Sequence, residues 1–392
     1  MLKLSQRAAR VVQAEIRAMS VECEKVGGIN LAQGICDTEV PPAVRRGAKE
    51  AIDHGANQYT RMDGIAALRK GIAKKLREHN GIIADPETEI VVSGGSTGAF
   101  YAACLALVDR GDDVLLFEPY YGYHVNTVLA LEANPCFVTL RAPGWTFSPD
   151  DLESALTPRT RAIVVNSPAN PSGKVFTREE LGWIADFVIR HNLFLLTDEI
   201  YEYFLFDGRR HISPATLPGM RERTITISGY SKTFSITGWR VGYAAADARW
   251  ARTIAMLSDL VYVCSPSPLQ HGVAEGIEQL YDGFYAALKD EYAVKRDLIC
   301  TALTHAGLTP CIPQGGYYVL ADSRSLPGRN GKERAMNLLE KTGVASVPGE
   351  SFFEGAGGRD FIRFCFAKTD ADLREACRRL ETLGAVVSTA SR

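Results

Sequence analysis

The sequence has no apolar run long enough for a membrane helix. Its start, MLKLSQRAARVVQAEIRAM, lacks the apolar core of a secretory signal and reads as a surface amphipathic helix. The absence of an acidic residue before Glu15 is the one trait this start shares with transit peptides. No CxxC pair occurs among the nine scattered cysteines (Cys23, Cys36, Cys104, Cys136, Cys264, Cys300, Cys311, Cys365 and Cys377). An odd count without pairs excludes a disulfide framework or a zinc site, and predicts reduced, mostly buried thiols in a cytoplasmic protein. No block of like charge appears: 44 Lys and Arg face 46 Asp and Glu, a net charge of -2. A nucleic-acid partner needs a basic face, so none is expected. There is also no internal repeat and no low-complexity segment. The 392 residues suit two or three structural units, or one large α/β domain with a smaller companion.

What is present is a series of short apolar runs: EIVV (89–92), DVLLF (113–117), RAIVV (161–165), LFLL (193–196), TITI (224–227) and VGYAA (241–245). They are continuous rather than alternating, as strands covered on both faces are. Between RAIVV and LFLL, Thr177 and Glu180 form a capping box. Leu181, Ile184, Ala185, Val188 and Ile189 then share one helical face. Strand, helix, strand implies parallel crossovers and a mostly parallel central sheet covered by helices. From about residue 290 the texture changes. A long helical pattern leads into GGYYVL, a helix (GKERAMNLLEKTG), FIRFCFA, and a last helix opened by Thr369 and Asp372. The expected division is a large domain over 46–289 and a smaller α+β domain formed by 1–45 and 290–392.

Ligands of open α/β sheets sit beyond the carboxyl ends of the strands, so the loops there carry the functional expectation. After EIVV, SGGSTGAF enters a helix through Gly95, Ser96, Thr97 and Gly98. Free backbone N–H groups at a helix N-terminus make a phosphate cradle, although a tight turn would read the same way. After DVLLF, EPYYGYH offers Tyr120, Tyr121 and Tyr123 as stacking faces. NSPANPSGK places Asn166 and Asn170 in a stiff polar loop. TDEIYEYF puts Asp198 and Glu199 at a strand end, with Tyr201 following. A carboxylate there needs a partner or a charged ligand. SGYSKTFSITGWR then supplies Lys232 and Arg240. A phosphate cradle, an aromatic face, an amide, a carboxylate, a phenol, a lysine and an arginine together match the needs of pyridoxal 5′-phosphate.

With these loops, the sequence resembles the class I and II aminotransferases of pyridoxal phosphate fold type I. SKTFSITGWRVGY carries most of the resemblance, with NSPANPSG, TDEIY, NQYT and FIRFCFA in supporting order. The resemblance implies that Lys232 forms the Schiff base with the cofactor and shuttles the proton. It implies that Asp198 holds the pyridine nitrogen, and that Asn170 and Tyr201 bond the ring's phenolic oxygen. Tyr121 would stack on the ring, and Ser96, Thr97 and Arg240 would hold the phosphate. Arg363 would clamp the substrate α-carboxylate, with the backbone of Gly34 helping and Asn170 close by. Tyr59 would cross to the neighbouring site of a homodimer. Gly229 departs from the pattern, since many relatives have a phosphate-binding serine there. Ser231, rather than Ser228, is expected to take its place.

The expected activity is transfer of an amino group from a neutral or aromatic L-amino acid to a 2-oxo acid such as 2-oxoglutarate or pyruvate. A carbon–sulfur β-lyase on the same scaffold is the alternative, because these motifs build the cofactor site without choosing the bond that breaks. A non-catalytic pyridoxal phosphate-binding regulator is more remote, since the resemblance starts close to residue 1 with no basic helical module ahead of it. Arg61, two residues after Tyr59, is expected at the surface.

Overall fold

The computed structural model describes residues 2–11 and 15–390. Seven strands form the main sheet: β1 (Ile90–Gly94), β2 (Asp113–Glu118), β3 (Asn134–Thr139), β4 (Thr160–Asn166), β5 (Phe194–Asp198), β6 (Thr224–Gly229) and β7 (Val241–Ala245). Their spatial order is β1-β7-β6-β5-β4-β2-β3. The five strands from β6 to β3 are parallel, and β7 is antiparallel to both of its neighbours. The chain between β6 and β7 makes turns and no helix, so it cannot provide the crossover that parallel pairing requires. All six apolar runs are strands. The seventh, β3, reads NPCFVT and among the described residues pairs only with β2. An edge position tolerates Pro135, which has no N–H to give to a ladder.

Both faces of this sheet are covered. Along β4, Ala162 and Val164 enter the core that contains Phe100 and Ala103 of the helix Gly95–Leu107. Ile163 and Val165 enter the opposite core, with Ile184 and Val188 of the helix Arg178–Arg190. That helix opens with the expected reciprocal cap: Glu180 N donates to Thr177 Oγ1 at 3.2 Å, and Thr177 N donates to Glu180 Oε2 at 2.8 Å. Ile189 faces outward, 41% exposed, and Phe187 is buried instead.

A second, antiparallel sheet holds β8 (Thr309–Cys311), β9 (Tyr318–Asp322), β10 (Val347–Pro348) and β11 (Phe361–Cys365), in the order β10-β11-β9-β8. Met19 and Leu31 from the chain start and Leu373 and Leu380 from the last helix share its core. The expected boundary at residue 290 falls inside one continuous helix, Asp282–His305. The chain start is described as a 3-10 turn, Ala8–Arg10, and a helix, Glu15–Lys25. Residue 1 and residues 12–14 of the expected amphipathic helix lie outside the described residues. All nine cysteines are free. Among the described residues, no helix is long and apolar enough to cross a membrane.

Candidate active site

The carboxyl ends of β4, β5 and β6 and the strands β9 and β11 bring most of the expected residues to one place. Lys232 follows β6, and its Nζ donates to the Gly34 carbonyl at 3.2 Å. Burial pushes its amine below the usual lysine range. Arg240 acts in the same direction, whereas Cys36 and Cys365 oppose it. Gly34 belongs to the segment that also meets Arg363, whose Nη2 donates to the Ala32 carbonyl at 2.7 Å. Arg363 is 1% exposed. Its Nη1 donates to Asn170 Oδ1 at 2.9 Å, which joins the NSPANPSG loop to β11. Among the described residues its buried Nε has no hydrogen-bond partner. No carboxylate forms an ion pair with it among the described residues.

Asp198 ends β5 and is buried. Its Oδ1 accepts the Ile200 N–H at 3.2 Å, and its Oδ2 lies 3.1 Å from His124 Nε2. The sequence reading did not assign His124. It ends EPYYGYH, in the helix Gly122–Ala130, and its ring lies edge-on to Tyr121 at 5.2 Å and 4.4 Å from Phe100. A histidine three residues from the expected stacking tyrosine was the available signal. Tyr201 is buried, with its hydroxyl 3.4 Å from that of Tyr318.

The glycine cradle is built at close quarters. A Cβ on Gly95 would lie 2.4 Å from the Arg240 guanidinium, and one on Gly242 would lie 2.4 Å from the Ser96 nitrogen. Side chains are excluded at both positions, so the N-terminus of Gly95–Leu107 and Arg240 face each other directly. Arg240 donates to the Gly94 carbonyl at 3.2 Å and sits at φ 57°, a conformation non-glycine residues adopt at a cost. Ser96, Thr97, Tyr121, His124 and Asp198 line one small cavity here. Ser228 is committed elsewhere, with its hydroxyl donating to Glu202 Oε1 at 2.7 Å. Ser231 is buried, and among the described residues its hydroxyl has no such partner. At Gly229 a Cβ would lie 3.0 Å from the Gly242 backbone, so a serine there would crowd β7. Tyr59 stands apart, 82% exposed. Arg61 is held by Asp63 and by Glu87, the latter at 2.9 Å.

Pyridoxal phosphate fits these groups. The helix end and Arg240 suit its phosphate, Asp198 suits the ring nitrogen, the depressed Lys232 amine suits the aldehyde, and the open Nε of Arg363 suits a substrate carboxylate. Behind Asp198, Glu199, Glu202 and His211 lie close enough together to hold a metal ion. The Lys75 ammonium, 2.5 Å from Glu202 Oε2, already supplies the cation there.

The family model described as "Aminotransferase class I and II" matches residues 26–380. The chain is 38% identical over 386 residues to a probable N-succinyldiaminopimelate aminotransferase of Mycobacterium tuberculosis, covering 96% of each. It is 33% identical over 385 residues to aromatic-amino-acid aminotransferase 2 of Thermococcus litoralis, covering 97% of this chain and 98% of that one. The solved structure of the N-succinyldiaminopimelate aminotransferase from Mycobacterium tuberculosis superposes with a TM-score of 0.93 at 37% identity, covering 97% of this chain and 100% of that one.

Proposed function

The chain belongs to the class I and II aminotransferases, pyridoxal phosphate-dependent enzymes of fold type I, and from that premise we propose that it moves the amino group of a neutral or aromatic L-amino acid to a 2-oxo acid, with Lys232 as the base. The observation that carries this reading is the meeting of Lys232 and Arg363 on the segment 32–34. A buried guanidinium without a carboxylate partner attracts one strongly, and a bidentate clamp fixes its orientation. The substrate Cα is then held beside an amine that burial keeps ready to accept a proton.

When bound, pyridoxal phosphate supplies an electron-withdrawing ring that carries the charge left at Cα. Lys232 Nζ takes the proton from Cα. Asp198, oriented by His124, would hold the ring nitrogen. Asn170 and Tyr201 would bond the phenolic oxygen, Tyr121 would cover the ring, and Ser96, Thr97, Ser231 and Arg240 would anchor the phosphate.

The cations near the site support a donor without an acidic side chain. Lys232, Arg240 and Arg363 each have a role, and Arg61 is neutralised by Asp63 and Glu87. Tyr121, Tyr201, Tyr318 and Phe352 offer aromatic surface instead. Exposed Tyr59, with Met256, Leu260 and Val261 exposed on the helix Ala248–Tyr262, supports a homodimer in which Tyr59 reaches the neighbouring phosphate. The nine free thiols support a reducing compartment, the cytoplasm.

Lys232→Ala abolishes turnover on this reading, and ordinary activity in that variant overturns it. Product analysis separates it from a β-lyase. Transamination yields a 2-oxo acid with the donor's carbon skeleton intact, whereas elimination yields ammonia and pyruvate.

A further inference from the structure

Tyr318 touches both halves of the site, and its contacts reach beyond the aromatic surface it offers a donor. It opens β9, whose register pairs Leu320 with Arg363 and Tyr318 with Cys365. Residues two apart on a strand share a face, so Tyr318 is the diagonal neighbour of Arg363, within reach of a large aromatic side chain. Its ring centroid lies 4.3 Å from the Arg363 guanidinium carbon, and Phe352 approaches that carbon at 4.7 Å. Its hydroxyl lies 3.4 Å from the Tyr201 hydroxyl. The same hydroxyl packs on Gly34, where a Cβ would stand only 1.7 Å from it. The Gly34 carbonyl is the acceptor of Lys232 Nζ. Burial pushes the Tyr318 phenol up to about 12, so it stays protonated in the working range.

We propose that Tyr318 is a positioning residue that holds the carboxylate clamp and the cofactor side of the site in one register. Its ring fixes the plane of the Arg363 guanidinium, and its hydroxyl fixes Tyr201 and the Gly34 turn. This rests on the reading of Arg363 as the carboxylate clamp. The two contacts separate in variants: Tyr318→Phe keeps the ring and loses the hydroxyl, and Tyr318→Leu loses both.

The experiment is calorimetric titration of the holoenzyme with 3-phenylpropionate, a carboxylate with no amino group to react, alongside the visible spectrum and the KM and kcat of each variant. Tyr318→Phe is expected to bind the probe as the wild type does, with a shifted cofactor band and a lower kcat. Tyr318→Leu is expected to bind about thirtyfold more weakly, the scale of one buried cation–π contact. Arg363→Leu serves as the reference. If it loses the probe while Tyr318→Leu binds it normally, the ring contact is overturned and the clamp stands. If Arg363→Leu binds it normally, the clamp itself is wrong. A Tyr318→Phe enzyme with unchanged band and kcat overturns the hydroxyl contact, even if the leucine variant does not fold.

Discussion

At the scale of single residues, the site depends on burial changing what a side chain does. In the cofactor-free protein, burial penalises the Lys232 ammonium, so its proton leaves at lower pH than the ordinary 10.5. Labelling of the free amine with trinitrobenzenesulfonate should therefore show a midpoint below that value; a midpoint at or above it contradicts the burial argument. Gly34→Ala places a methyl group against the Tyr318 hydroxyl and pushes that ring off Arg363. Weaker binding of carboxylates is expected, and unchanged affinity would count against the contact. Lys232, Asp198, Asn170 and Arg240 drew notice as polar groups in the loops that follow apolar runs, and the motifs of the resemblance gave them and Arg363 their expected roles. His124 did not, because its meaning lies in Asp198, 74 positions away in sequence. Ser228 and Ser231 could be told apart only through Glu202, which occupies one of them.

At the scale of elements, the ends of β5 and β6 are tied to the helix Ala66–Lys75 beneath the site. Lys75 pairs with Glu202, and Ser228 donates to the same carboxylate. Breaking a buried pair on one side leaves a charge without compensation, so Lys75→Met should cost about 3–5 kcal/mol. Burial works to raise the Glu202 pKa, but Lys75, His79 and His211 outweigh it and bring it down to about 2. Its stabilisation is present above the ordinary 4.5 and is lost as pH falls toward about 2. The gap in urea midpoint between the wild type and Lys75→Met should narrow as pH drops through that window. A constant gap would show that the pair contributes little. The six buried strands were readable from composition, since cover on both faces demands continuous apolar residues. The edge strand β3 has no such demand on it, and Asn134 and Pro135 obscure it. The reversal of β7 was hidden because pairing direction is set by the connection, and the turn after Lys232 has no pattern that betrays it.

At the scale of the whole molecule, Tyr59 is an expected site residue that a single chain leaves 82% exposed. If it serves the neighbouring subunit, a Lys232→Ala chain and a Tyr59→Ala chain should complement each other. The mixed dimer has one site with the lysine of one chain and the tyrosine of the other. Random reassociation of equal amounts should recover roughly a quarter of wild-type activity, because half the dimers carry one intact site. No recovery on mixing means that each site is complete within its own chain. The large sheet and the order of loops along the chain were legible in sequence. The homodimer was expected from the resemblance alone, and one chain offers an exposed tyrosine and an apolar helix face in its support. The central claim is an amino group moved at a covalently held cofactor, and the visible spectrum of the purified protein tests it most directly. The account predicts an absorption band from cofactor bound to Lys232. A neutral or aromatic amino acid added alone should discharge it, and a 2-oxo acid should restore it. No band after pyridoxal phosphate is supplied, or a band that persists while ammonia and pyruvate accumulate, would contradict it.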